Sequence, residues 1–143
     1  MDLKSNSNDV FTEIINFENL PKLLPRQLKK VEVVKKDGNN VFTKEILVFK
    51  TLVKNEIIQE SRHEITHDHI RTVIISGPAK DSVINMKLMN KEAGCKILIS
   101  IDLKLSLKAR ILLPIVKKVY SGLLTGILYK IETLIEKRRA LND

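Results

Sequence analysis

The stretch 95–107, CKILISIDLKLSL, decides how the rest of the chain is read. Ile97, Ile99, Ile101, Leu103, Leu105 and Leu107 share one parity, and the residues between them are mostly polar. Alternation over that length is the pattern of a strand with one covered face and one wet face. Downstream the period changes. Between residues 109 and 140, Leu112, Val116, Val119, Tyr120, Leu123, Ile127, Ile131, Leu134 and Ile135 form a broad stripe at helical spacing. Lys117, Lys118, Lys130, Glu132 and Glu136 fall toward water, and Pro114 suits a first turn or a kink. A helix of about 25 residues would run about 37 Å, enough to cross a small sheet.

Upstream, a period of two reaches back to Leu28. LKKVEVVKK, the turn signal Asp37-Gly38-Asn39-Asn40 and VFTKEILVFKTLVK predict a hairpin. NEIIQESRHEIT adds a strand, His67-Asp68-His69 a turn, and IRTVIIS a further strand stopped by Gly77-Pro78. DSVINMKLM joins the final strand through Asn90-Lys91-Glu92-Ala93-Gly94. The pattern predicts six antiparallel strands in a meander. Ahead of them, DVFTEIINFENLPKLL predicts two short helices, with Asn8 or Asp9 as the cap, Pro21 early in the second and Pro25 ending it. The sum is an α+β domain.

With 143 residues, 43% of them hydrophobic, the chain fits a single domain over 1–143. No run approaches the ~20 apolar residues of a membrane-spanning helix. MDLKSNSND lacks the apolar core of a secretory signal, and Cys95 is the only cysteine, so a cytoplasmic protein is expected. Of 25 basic residues only six are arginine, there is no Trp, and aromatics do not interleave with basic residues. The net charge of +8 therefore predicts diffuse attraction to anionic surfaces and no specific nucleic-acid partner.

The order of elements resembles the START-like helix-grip fold of the birch pollen allergen (Bet v 1-like) superfamily. Within it the chain is most similar to the SRPBCC group of polyketide cyclase, coenzyme Q-binding and lipid-transport proteins. Val10, Phe11, Asn16, Glu18, Asn19 and Pro25 match that group's opening helix pair. GPAKDSVINMKLMNKEAGCKILISIDLKL resembles its late hairpin, and the resemblance covers residues 9–138. It implies a curved sheet of six or seven strands around the long helix, with an apolar cavity between them for a hydrophobic small molecule. It also implies a strand before the first helix. Either a stub around Asp2–Ser5 supplies that strand, or it is missing and exposed edges on the second and last strands invite a dimer or a covering tail.

His63-Glu64-Ile65-Thr66-His67 is a literal HExxH, which holds zinc when a helix brings both histidines to one face. The flanks predict a strand, which would put the two rings ~13 Å apart, so no metal ligand is nominated. On that strand Glu56, Glu60, Arg62 and Glu64 mark the wet face, turning Ile57, Gln59, Ser61, His63 and Ile65 inward. Polar residues on a covered face read either as an anchor for the head group of an apolar ligand or as a satisfied core cluster. Parity and stripe add Met86, Leu88, Ile99, Ile101, Leu103, Val119, Tyr120, Leu123 and Ile127 to a common apolar space. Gly122 and Gly126 lie one turn apart in the helix, either leaving room for a ligand or allowing close packing.

No catalytic residue and no cofactor are nominated, because no nucleophile motif, phosphate loop or dinucleotide fingerprint is present. The function expected is non-catalytic binding or transport of a lipid, quinone or polyketide-like molecule by a monomer or dimer. The alternatives are a protein- or ribosome-interacting module with a vestigial cavity, and a cyclase or dehydratase using His63. The basic side of the long helix, Lys117, Lys118, Lys130, Lys137, Arg138 and Arg139, suits transient contact with an anionic membrane surface or is a solvated face.

Overall fold

A computed structural model describes residues 1–50, 54–106 and 113–142. Among the described residues seven strands form one antiparallel sheet. They are β1 (Asp2–Leu3), β2 (Leu28–Asp37), β3 (Asn40–Lys50), β4 (Lys54–Ile65), β5 (His69–Ser76), β6 (Val83–Asn90) and β7 (Cys95–Asp102). Their order across the sheet is β1-β7-β6-β5-β4-β3-β2. Helices α1 (Ser7–Ile14) and α2 (Leu20–Leu23), with a 3-10 turn at Phe17–Asn19 between them, lie between β1 and β2 in sequence. Helix α3 (Leu113–Asn142) closes the chain.

The meander holds with two corrections at strand ends, and of the two alternatives for the first strand the stub is the one present. The first strand exists: β1 pairs Asp2 with Lys96 and Leu3 with Cys95, so the stub is present and the sheet has seven strands. Lys54 opens β4 instead of ending β3, pairing with Lys50; residues 51–53 lie outside the described residues. β7 stops at Asp102, where its partner β6 begins at Val83. Beyond that point the Ser82 hydroxyl replaces the ladder, donating to Lys104 O at 2.9 Å and accepting from Lys104 N at 2.7 Å. Leu103 and Leu105 continue the inward parity, half-buried, and Leu107 lies outside the described residues.

Register shifts interrupt β2 at Leu28/Lys30 and Val33/Lys35, and β4 at Glu60/Ser61. Such bulges bend strands, and they fall where the sheet must curve around a helix. The α1 cap is Asn6, not Asn8 or Asp9: its side chain accepts from Asp9 N at 2.9 Å, so the helix starts earlier than expected. In the run Asn6-Ser7-Asn8-Asp9 every residue is a competent cap, so composition alone does not select among them.

Helix α3 has 30 residues, about five more than expected, because the polar Lys137–Asn142 end continues it. Val116, Tyr120, Leu123, Ile127, Ile131 and Ile135 are buried as the stripe requires, and Leu128 is buried beside them. Arg138 pairs with the buried Glu13 of α1, and Arg139 lies 3.6 Å from Asp9. Those contacts fasten the far end of α3 to α1, while Glu132 accepts from the backbone N–H of Lys4 beside β1.

Candidate functional site

β3, β4 and β5 set their inward residues side by side. Glu45 sits opposite Gln59, Thr43 opposite Ser61 and Val41 opposite His63, with Thr72 opposite His63 on the other side. Because side chains alternate along a strand, one choice of parity brings all of these polar groups to the covered face. Gln59, Ser61 and His63 are buried there as the sequence predicts.

The cluster is ordered by a chain of hydrogen bonds. Tyr120 Oη, reaching down from α3, donates to Gln59 Oε1 at 2.7 Å. That fixes the amide so that Gln59 Nε2 donates to Glu45 Oε2 at 2.6 Å. Thr43 Oγ1 donates to Glu45 Oε1 at 2.7 Å. Having placed its proton there, Thr43 accepts from His63 Nε2 at 2.8 Å. His63 Nδ1 lies 2.7 Å from Thr72 Oγ1, and Phe17 stacks on the imidazole with centroids 4.3 Å apart. The Glu45 carboxylate, 12% exposed, also lies 3.6 Å from His63 Nε2.

Burial pushes the Glu45 carboxyl up, but hydrogen bonding and charge from His63, with the Thr43 and Gln59 bonds, pull it further down, to below its ordinary value. Burial, then the Glu45 charge, push Tyr120 well above the usual phenol range, so it remains a donor at neutral pH.

Above this wall lies a cavity of about 120 Å³. Of the residues expected to face a common space, Gln59, Ser61, His63, Met86, Tyr120, Leu123 and Ile127 line it. Ile14, Phe17 and Leu20 from the N-terminal helices close one side. The remainder lie elsewhere. Ile99 and Ile101 line a separate groove of about 560 Å³ between β7 and α3, together with Lys117, Lys118, Ser121, Leu124 and Thr125. Leu124 belongs to both walls and separates groove from cavity. Leu88 is buried beneath α1, near Phe11, and Leu103 and Val119 are half-buried outside the cavity lining. Parity gives the face of a sheet on which a side chain lies, but not its position along the helix that covers it.

Sequence reasoning missed Glu45, Thr43, Thr72 and Phe17. Alternation does not mark the first two, because Val41 and Leu47 share the parity of Thr43 and Glu45 while Phe42, Ile46 and Val48 share that of Lys44. HExxH lies in β4 and the following turn, with His63 buried and His67 exposed. Among the described residues no cluster of three or more His, Cys, Asp or Glu could hold a metal ion. Cys95 opens β7, fully buried, and burial pushes its thiol up.

Solved structures similar to this chain carry the same architecture. TTHA0849 from Thermus thermophilus superposes with a TM-score of 0.79 at 14% identity, covering 93% of this chain and 91% of that one. Zhui aromatase/cyclase from Streptomyces sp. R1128 gives 0.78 at 12% identity, covering 96% and 91%. Ara h 8.0201 gives 0.69 at 17% identity, covering 93% and 94%. No family model and no curated protein matches the chain. At these identities the likeness is one of fold, and the fold is the Bet v 1-like helix grip.

Proposed function

We propose that the protein binds a hydrophobic small molecule, without catalysis, in the cavity between sheet and α3. One observation carries this reading: an apolar space with a single polar wall, contributed jointly by β3, β4, β5 and α3. Apolar walls supply affinity and a few placed polar groups supply orientation. The similarity in fold to an aromatase/cyclase supports the general kind of ligand. The geometry of His63 favours binding over acid–base work. Both ring nitrogens already face threonine hydroxyls and Phe17 covers one ring face, so a proton-transfer role would first require that cluster to open.

An apolar cavity of about 150 Å³ holds one benzene, so this space of about 120 Å³ takes a single ring only with a small expansion of its walls. A longer molecule needs Leu124 to swing aside and join cavity to groove. An anionic membrane is then a suitable source, since Lys117 and Lys118 stand exposed at the groove. Native mass spectrometry of protein purified without detergent tests the reading: a co-purified mass that denaturation releases is expected. Homogeneous apo-protein that also fails to take up an apolar fluorescent dye would overturn it, leaving the interaction module as the reading to pursue.

A further inference from the structure

Ser61 is fully buried in the cavity wall, and its hydroxyl has no hydrogen-bond partner among the described residues. Buried hydroxyls are rarely left unpaired, because the lost solvation is not recovered. Its neighbours across the sheet cannot supply a partner. Thr43 on one side is engaged by Glu45 and His63, and Ile74 on the other is apolar. The remaining direction is the cavity. A water there would compete for Ser61 and the Glu45 wall, and a ligand hydroxyl that replaces it recovers the same bonds while filling the apolar space.

Glu45 supplies the second half of the argument. Thr43 donates to one of its oxygens and Gln59 to the other, and His63 Nε2 lies 3.6 Å from the first, whereas a carboxylate offers about four acceptor sites in all. It is an acceptor with room left, on the same face as Ser61 and one residue pair along the sheet. No lysine or arginine lines the cavity among the described residues, and the one imidazole there, His63, already lies 3.6 Å from Glu45, so no further cation stands ready for a second negative charge.

We infer that the cavity selects a neutral, ring-sized molecule bearing a hydroxyl, which pairs with Ser61 on the Glu45 wall, and that it rejects the corresponding carboxylate. This rests on the binding role proposed above and adds the head-group chemistry. It predicts that fatty-acid-like anions, otherwise natural occupants of an apolar cavity, are poor ligands for this chain.

Three matched rings test it: phenol, toluene and benzoate, titrated at pH 7 while the methyl resonances of Met86, Leu123 and Ile127 are followed by NMR. Phenol is expected to bind about tenfold tighter than toluene, the scale of one added hydrogen bond. Benzoate is expected to leave the methyls unmoved where phenol saturates them. Ser61→Ala removes a hydroxyl that has no partner in the fold, so the variant should fold normally and bind phenol no better than toluene. Glu45→Gln should narrow the gap between phenol and benzoate. Toluene binding as tightly as phenol, benzoate matching phenol, or an unchanged phenol preference in Ser61→Ala would each overturn the inference. Failure of all three rings to bind would overturn it as well, whereas a co-purified mass in the native spectrum would leave the binding role itself standing.

Discussion

Glu45 is a carboxylate held in an apolar wall, and the sign of its pKa shift determines what it does for stability. Burial raises the pKa, while His63, Thr43 and Gln59 together lower it further than burial raises it. A carboxyl whose pKa is lower folded than unfolded adds stability above the unfolded value, about 4.3 for Glu, and loses it as pH falls through the folded one. Glu45→Gln should therefore cost about 1–3 kcal/mol at pH 7, with the difference from wild type shrinking below about pH 4. Urea unfolding at a series of pH values measures this; a difference constant from about pH 7 to about pH 3 would mean that packing, not charge, is at stake. Half of the polar wall was legible in the sequence. Gln59, Ser61 and His63 alternate with Glu56, Glu60, Arg62 and Glu64, so the wet face defines the inner one. Glu45 escaped notice because Lys44 and Glu45 are adjacent charges, and only its burial in the structure shows which of the two turns inward.

At the scale of elements, the glycines separate close packing from empty space. Gly94 has φ +98°, and a Cβ there would meet Leu3 O at 1.9 Å. No other residue lets β1 lie against the β6–β7 turn. Gly94→Ala should lower stability by at least about 1–3 kcal/mol and release the amide protection of β1, read by hydrogen exchange at Leu3 and Cys95. In α3 the two glycines differ. Gly122 is exposed and a Cβ would touch nothing, whereas at Gly126 it would come within 3.0 Å of Leu24 Cδ1. Gly122→Ala should thus gain most of the ~1 kcal/mol helix preference of alanine, and Gly126→Ala less. In a Leu24→Ala background the two substitutions should become equal, as thermal denaturation would show; a persistent gap would place the strain elsewhere. So Gly126 makes room for Leu24, the residue that caps α2. The long elements were legible because each repeats its period many times, as β7 and α3 do. β1 has two residues and no period to repeat. Its place depends on the absent Cβ of Gly94, far away in the sequence, a dependence that no local pattern records.

Over the whole molecule, the charge of +8 is less freely available on α3 than its sequence suggests. Of the six basic residues expected on its wet side, Arg138 and Arg139 face Glu13 and Asp9 of α1. Lys117, Lys118, Lys130 and Lys137 remain, the first two at the groove that Leu124 separates from the cavity. A basic residue near an anionic bilayer contributes about 1 kcal/mol, so two to four lysines give weak, reversible docking. Such contacts are screened at a Debye length of about 10 Å in 0.1 M salt, so ionic strength should tune them. Co-sedimentation is expected with anionic vesicles at low salt, to fall at moderate salt, and to be absent with neutral vesicles. Position discriminates further. If a ligand enters through the groove, replacing Lys117 and Lys118 by serine should reduce both vesicle binding and the rate of ligand uptake, while the same change at Lys130 and Lys137 should reduce binding alone. Equal and negligible binding to both vesicle types at low salt would remove the membrane from ligand delivery and leave these lysines as a solvated face.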